Sequence, residues 1–128
     1  MKLLLDTHIL LWAAVAPARL PESAMTLMAN PENNLLFSPV SLWEVAIKSA
    51  LNRPDFKVDA HVLHQGLIAA GYVELPVTAD HAVATGDLPD IHKDPFDRLL
   101  LAQAKCEDIV LLTADAMLAK YPAPVRRV

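Results

Sequence analysis

Four acids carry the chemistry this sequence offers: Asp6, Glu44, Asp97 and Asp115. Each stands beside an apolar run. Asp6 closes Lys2-Leu3-Leu4-Leu5, Glu44 lies between Trp43 and Val45, Asp97 is followed by Arg98-Leu99-Leu100-Leu101, and Asp115 comes after Leu111-Leu112-Thr113-Ala114. Half-buried carboxylates brought together repel one another, and burial raises their pKa. A hard divalent cation removes both problems, and ligands that are all oxygen suit Mg²⁺ or Mn²⁺. Such clusters serve phosphodiester hydrolysis. There the metal activates water, orients the phosphate and stabilises the leaving oxygen, and a paired site holds its ions ~3.5–4 Å apart.

Each acid also has an ordinary reading. Asp6 and Asp115 can cap the helices that follow them. Glu44 comes three residues after Ser41, the spacing of a capping box. Asp94 before Pro95 is a helix cap with proline at the first helical position, which places Asp97 at the third. Carboxylates at helix N-termini are common, so taken singly none of the four is decisive. Taken together they gain weight, because the elements around them bring all four to one edge of a sheet.

Those elements alternate. Leu3–Leu5 read as a buried strand, since continuous apolarity is the pattern of a parallel sheet covered on both faces. A helix follows from Thr7 to Ala16 and another from Pro21 to Ala29. Leu35–Phe37 form a second strand, and a third helix runs from Ser38-Pro39 to about Arg53. Asp59 caps a helix over Ala60–Ala70 that Gly71 ends. Tyr72–Leu75 form the third strand, Thr78 caps a short helix to about Thr85, and a polar loop spans Gly86–Lys93. A helix from Asp94-Pro95 to about Glu107, a fourth strand at Ile109–Leu112, a last helix over Asp115–Tyr121 and an edge strand at Val125–Val128 complete the chain. This alternation predicts an α/β fold with right-handed crossovers between parallel strands. Asp6 and Asp115 then lie at the carboxyl edge of the sheet, where ligands bind in open α/β folds. Glu44 and Asp97, near the starts of their helices, hang over that same edge.

At 128 residues the chain is read as one domain, 1–128, with an interior built mainly of Leu, Ala and Val. No apolar run reaches the ~18–20 residues of a membrane helix. The N-terminal segment is too short and too acidic for a signal peptide. One cysteine, Cys106, excludes an internal disulfide and points to a reducing cytoplasm; by default it is a buried small residue. The net charge of -4 argues against a general electrostatic grip on nucleic acid. It leaves room for a nucleic-acid enzyme whose acids are gathered at one site, because a bound cation reverses the local field.

The stretches LLLDTHILLW, SPVSLWEVAIK, HKDPFDRLLLAQA and LLTAD, in this order and at these separations, resemble the PIN-domain proteins, and among them the VapC-like toxins of type II toxin–antitoxin systems. The resemblance covers nearly the full length. It implies a single-domain, Rossmann-like α/β/α sandwich with a mainly parallel sheet of four to five strands, and an Mg²⁺- or Mn²⁺-dependent endoribonuclease. It also implies a homodimer and a cognate antitoxin protein that occludes the site. Asp6 matches the family's first acid, Glu44 the second, Asp97 the third and Asp115 the more variable fourth. Asp97 is preferred to Asp94 by its register with LLLAQA, which leaves Asp94 as a cap or an auxiliary acid.

Around these acids, Thr7 and Thr113 stand close enough in sequence to orient a ligand carboxylate or its water; the ordinary reading is a threonine cap. Lys48, four residues after Glu44, can pair with it on an exposed helix face or touch phosphate. Arg98 is a candidate contact for RNA or for an acidic antitoxin residue, weighed against a solvated arginine. His8 and His92 flank the first and third acids and are assigned packing or supporting roles, since a metal removes the need for an imidazole base. His61, His64 and His81 have no acid cluster nearby in sequence and read as surface or core polar groups.

Two other phosphoryl-transfer folds fit worse. A haloacid-dehalogenase-type phosphatase needs a second Asp two positions after the first, where this chain has His8. A receiver domain needs a phosphoacceptor Asp after its third strand, where this chain has Leu75-Pro76. The expected function is a metal-dependent endoribonuclease toxin acting on RNA. The alternatives are a PIN nuclease that is not a toxin, and a catalytically silent PIN scaffold that binds a partner.

Overall fold

The computed structural model describes all residues, Met1–Val128. Its centre is β1 (Lys2–Leu5), which pairs in parallel with β2 (Asn34–Phe37) on one side and β4 (Val110–Thr113) on the other. β3 (Val73–Glu74) extends the sheet beyond β2 and β5 (Val125–Arg127) beyond β4. The order β3-β2-β1-β4-β5 is parallel throughout. Leu4 stands opposite both Leu36 and Leu111, so the middle of the sheet is one apolar row.

Both faces of that row are covered, which is why these strands are apolar without interruption. Leu3 and Leu5 point into a core shared with Ile9, Leu10 and Leu11 of α1 (Thr7–Val15), Ala24 of α2 (Glu22–Ala29), Val45 of α3 (Pro39–Ala50), and Leu63 and Leu67 of α4 (Ala60–Ala69). Leu4 points the other way, into a core with Leu100, Leu101, Ala102 and Ala104 of α6 (Pro95–Glu107). A short helix, α5 (Ala79–Ala84), packs against α6 on that face. The Thr78 hydroxyl and the His81 imidazole close its start as a reciprocal capping box. His81 is buried there, and its Nε2 meets Glu107 at 3.2 Å. No helix is long and apolar enough to cross a membrane.

The structure departs from the sequence reading in four places. The last helix, expected over Asp115–Tyr121, is a turn followed by one 3₁₀ turn at Leu118–Lys120. Asp115 Oδ1 accepts the Met117 amide at 2.7 Å, a side-chain turn that competes with helix, and Pro122 and Pro124 stop any extension. α3 ends at Ala50 rather than near Arg53, because Asn52 turns the chain with a φ of 57°. β3 is two residues long; Leu75 still donates to Phe37 O at 2.8 Å, but Pro76 has no N–H to continue the ladder. Cys106 is exposed, on the outer side of α6, whose buried stripe is carried by Leu100–Ala104.

Candidate metal centre

The carboxyl edge of β1 and β4 opens into a cavity of about 370 Å³. Asp6, Glu44, Asp94, Asp97 and Asp115 line it, together with His8, Arg19, Lys48 and His92. All four acids singled out from sequence therefore face one space. A second cavity of about 360 Å³ lies between α1 and α4; its lining is apolar except for Tyr72, and it holds no acid.

Asp6 is both cap and site residue. As N-cap of α1 its Oδ1 accepts the Ile9 amide at 2.9 Å, while Oδ2 accepts the Thr113 hydroxyl. The side chain is 5% exposed. Burial pushes its pKa up; the Thr113 and Ile9 hydrogen bonds oppose that rise in part. Thr113 closes a chain of contacts across the sheet edge, since its Oγ1 also accepts the Asp115 amide at 2.9 Å.

Glu44 does not form the capping box its spacing suggested. Ser38 caps α3 instead, accepting the Val40 amide at 3.1 Å. Ser41 lies inside the helix, where its Oγ accepts the Thr7 hydroxyl at 2.9 Å. Thr7 thus ties the start of α1 to the turn of α3 that carries Glu44. Glu44 is 2% exposed. Its Oε2 accepts Lys48 Nζ at 2.5 Å, and its Oε1 is buried with no hydrogen-bond partner. The Lys48 ammonium also lies over the rings of Phe56 and Phe96, at 4.9 and 5.5 Å from their centroids. It is held on three sides, with 19% of the side chain still exposed toward the cavity.

Asp97, on the first turn of α6, accepts His92 Nε2 on its Oδ2 at 2.8 Å. Its pKa is pushed up to about 7, first by burial and then by the charge of Asp94. The His92 hydrogen bond lowers it, and Asp6 and Glu44 raise it further. Asp94 caps the helix through Oδ1, which accepts the Phe96 amide at 2.8 Å and the Asp97 amide at 3.2 Å. The ligand atoms of His92, Asp94 and Asp97 lie within 4.8 Å of one another. Asp115 is more exposed than Asp6, Glu44 and Asp97, with Oδ2 at 3.8 Å from His92 Nε2.

Arg98 has another role than the expected one. Its guanidinium is spent on the protein itself, donating to the carbonyls of Pro89, His92, Thr85 and Leu88 and to the Tyr121 hydroxyl. At the rim, His8 meets Asp55 at 3.2 Å, and that hydrogen bond holds the Asp55 carboxyl below its usual range. Sequence reading placed His92 beside the third acid without giving it a partner. Ser41 and Tyr121 carried no signal of their own, because their partners are 34 and 29 residues away.

The donors fit a divalent cation. The Glu44 oxygen is buried without a partner, and Asp6 and Asp97 are acids that burial pushes toward the neutral form, so the cavity is short of positive charge. The carboxylate oxygens are hard donors of the kind Mg²⁺ and Mn²⁺ take.

A parallel α/β sandwich with an acid cavity at its carboxyl edge defines a class before any name does. Residues 3–124 match the sequence profile of the PIN domain, and the chain belongs to the PIN domain family. Its fold is similar to that in VapBC2 from Rickettsia felis bound to a DNA fragment from its promoter. There the TM-score is 0.72 at 16% identity, over 100% of this chain and 99% of that one. It is also similar to DNA-bound VapBC from Salmonella typhimurium (TM-score 0.66, 18% identity, 99% and 98% covered). A third likeness is VapBC-1 from nontypeable Haemophilus influenzae (0.64, 15%, 99% and 98%). Among curated protein sequences none matches significantly.

Proposed function

We propose that this chain is an endoribonuclease dependent on Mg²⁺ or Mn²⁺, and the toxin of a type II toxin–antitoxin pair. The observation that carries the nuclease reading is the convergence of Asp6, Glu44 and Asp97 on one cavity, with a Glu44 oxygen buried and unpartnered. Those three acids would hold the ion, and Asp115 at the rim would assist or serve a second one. When bound, the cation supplies Lewis acidity for activating water and for neutralising charge on the phosphodiester.

The chain's own residues do the rest. Asp6, fixed through both oxygens by Ile9 and Thr113, gives the site a rigid strand-borne reference. Lys48, paired with Glu44, and Arg19, stacked over Trp12 at 5.2 Å, are the lysine and arginine facing the cavity, and they meet the phosphates of a single-stranded RNA. The products carry a 5′-phosphate and a 3′-hydroxyl. The toxin reading is supported by the full-length likeness to chains of VapBC assemblies, and it brings with it an antitoxin partner and a homodimer. A single cysteine fits a reducing, cytoplasmic setting.

Incubating the purified protein with a broad RNA panel and Mn²⁺ or Mg²⁺ tests the reading. Cleavage that chelator stops and Glu44→Gln abolishes is the expected result. No cleavage of any RNA, or an unimpaired Glu44→Gln enzyme, overturns it. Expression that arrests growth, relieved by the protein of a neighbouring reading frame, is the expected outcome for the toxin assignment.

A further inference from the structure

Outside the acids, the densest polar construction in the molecule surrounds the backbone of His92. The Tyr121 hydroxyl, on a side chain 5% exposed, accepts the His92 amide at 2.8 Å and lies 3.2 Å from the His92 carbonyl. Arg98 Nη1 donates to that same carbonyl at 3.2 Å, to the Tyr121 hydroxyl at 3.2 Å and to Pro89 O at 3.0 Å. Its Nη2 donates to Thr85 O at 2.9 Å and to Leu88 O at 3.4 Å. The segment from Thr85 to His92, which has little regular structure, is thereby nailed at four carbonyls and one amide to α6 and to the turn before β5.

A planar guanidinium with five donors is the side chain suited to gathering several carbonyls at fixed geometry. What the clamp delivers is the imidazole: His92 Nε2 reaches Asp97 Oδ2 at 2.8 Å and stands 3.8 Å from Asp115 Oδ2. Asp97 has no other side-chain partner among the hydrogen bonds of the structure, so the direction its carboxyl faces is set by His92.

We infer that Arg98 and Tyr121 are positioning residues of the metal centre, acting through His92 to aim the Asp97 carboxylate at the ion. Partners behind metal ligands typically change affinity by about 10–100-fold when removed. Here the device lies two steps behind, linking a phenol and a guanidinium through a histidine to a carboxylate. The inference rests on the metal-centre reading above, which Mn²⁺ binding by wild type and by Asp97→Asn tests separately.

Mn²⁺ affinity of the full chain is measured by calorimetry, with bound ion confirmed by electron paramagnetic resonance, for wild type, Tyr121→Phe, His92→Ala and the double variant. Tyr121→Phe removes one oxygen and keeps the packed ring, so it preserves the fold where Arg98→Ala can lose it. The expected result is about a tenfold loss of affinity in Tyr121→Phe, a comparable loss in His92→Ala, and no further loss in the double variant. A merely structural role predicts a lower melting temperature with Mn²⁺ affinity unchanged, and that outcome overturns the inference. Equal and additive losses in the His92→Ala background overturn it as well, because the hydroxyl would then act by another route. Should wild type bind no Mn²⁺, or Asp97→Asn bind it as well as wild type does, it is the metal-centre reading that falls.

Discussion

Asp97 shows how one residue couples the site to the stability of the whole chain. Its pKa of about 7 in the folded state stands well above the 3.8 of an unhindered aspartate. Between these values the folded chain keeps a proton that the unfolded chain has released. Stability of the metal-free protein therefore falls as pH rises from about 4 to about 7 and levels off above that. Thermal melts in chelator across this range should show the decline, and Asp97→Asn should make it shallower, the remainder belonging to Asp6, whose pKa burial also raises. The same proton must leave before an ion can bind, so Mn²⁺ affinity should climb through the same window. At this scale the sequence placed Asp6, Glu44, Asp97 and Asp115 at one edge of the sheet, and they do line one cavity. It could not tell that Arg98 faces inward. An arginine's partners are fixed by where a loop happens to pass, and the carbonyls it gathers belong to Thr85, Leu88, Pro89 and His92, none of which differs in type from any other backbone oxygen.

At the scale of elements, the site depends on helix starts. α1, α3 and α6 begin at the same sheet edge, capped by Asp6, Ser38 and Asp94. Helix N-termini carry partial positive charge, which makes that edge tolerant of acids before any ion arrives. Asp94 separates the two roles a cap can have here. Asparagine caps about as well as aspartate, whereas alanine costs about 1 kcal/mol. If Asp94 serves the site only as cap, Asp94→Asn should retain the melting temperature and lose no Mn²⁺ affinity, since removing its charge only eases the deprotonation of Asp97, and Asp94→Ala should lose stability. A fall in Mn²⁺ affinity in Asp94→Asn at unchanged stability would make it a ligand, in line with its place beside His92 and Asp97. The strands β1, β2 and β4 were legible because uninterrupted Leu-rich runs have few alternatives in a chain this short. The stretch after Asp115 was not. Its composition suits a helix, but a two-residue side-chain turn at Asp115 wins locally, and no periodicity records that contest.

For the molecule as a whole, charge sets the terms of any encounter with RNA. The net charge is -4, and Arg19 and Lys48 are the lysine and arginine facing the cavity. Release of counterions scales with the phosphates neutralised, at a slope of about -0.7 per contact for single strands. Two such contacts give a slope of about -1.4 in a plot of log affinity against log salt, measured at fixed divalent concentration. A much steeper slope would mean that RNA runs over a surface beyond the cavity.

The central place of β1 has one further consequence, and it concerns time. β1 precedes every other strand of the sheet in the chain, and it finds its second neighbour only when Val110–Leu112 have been made. Asp6 likewise waits for a threonine 107 residues downstream. Contacts this distant in sequence form late and slowly. Until then the nascent chain has an open strand edge and an acid without its hydroxyl partner, so the acids of the cavity are not yet assembled. On the nuclease reading the site would stay incomplete until β4 joins the sheet, which leaves an interval in which a partner could meet the chain before there is an active site to inhibit.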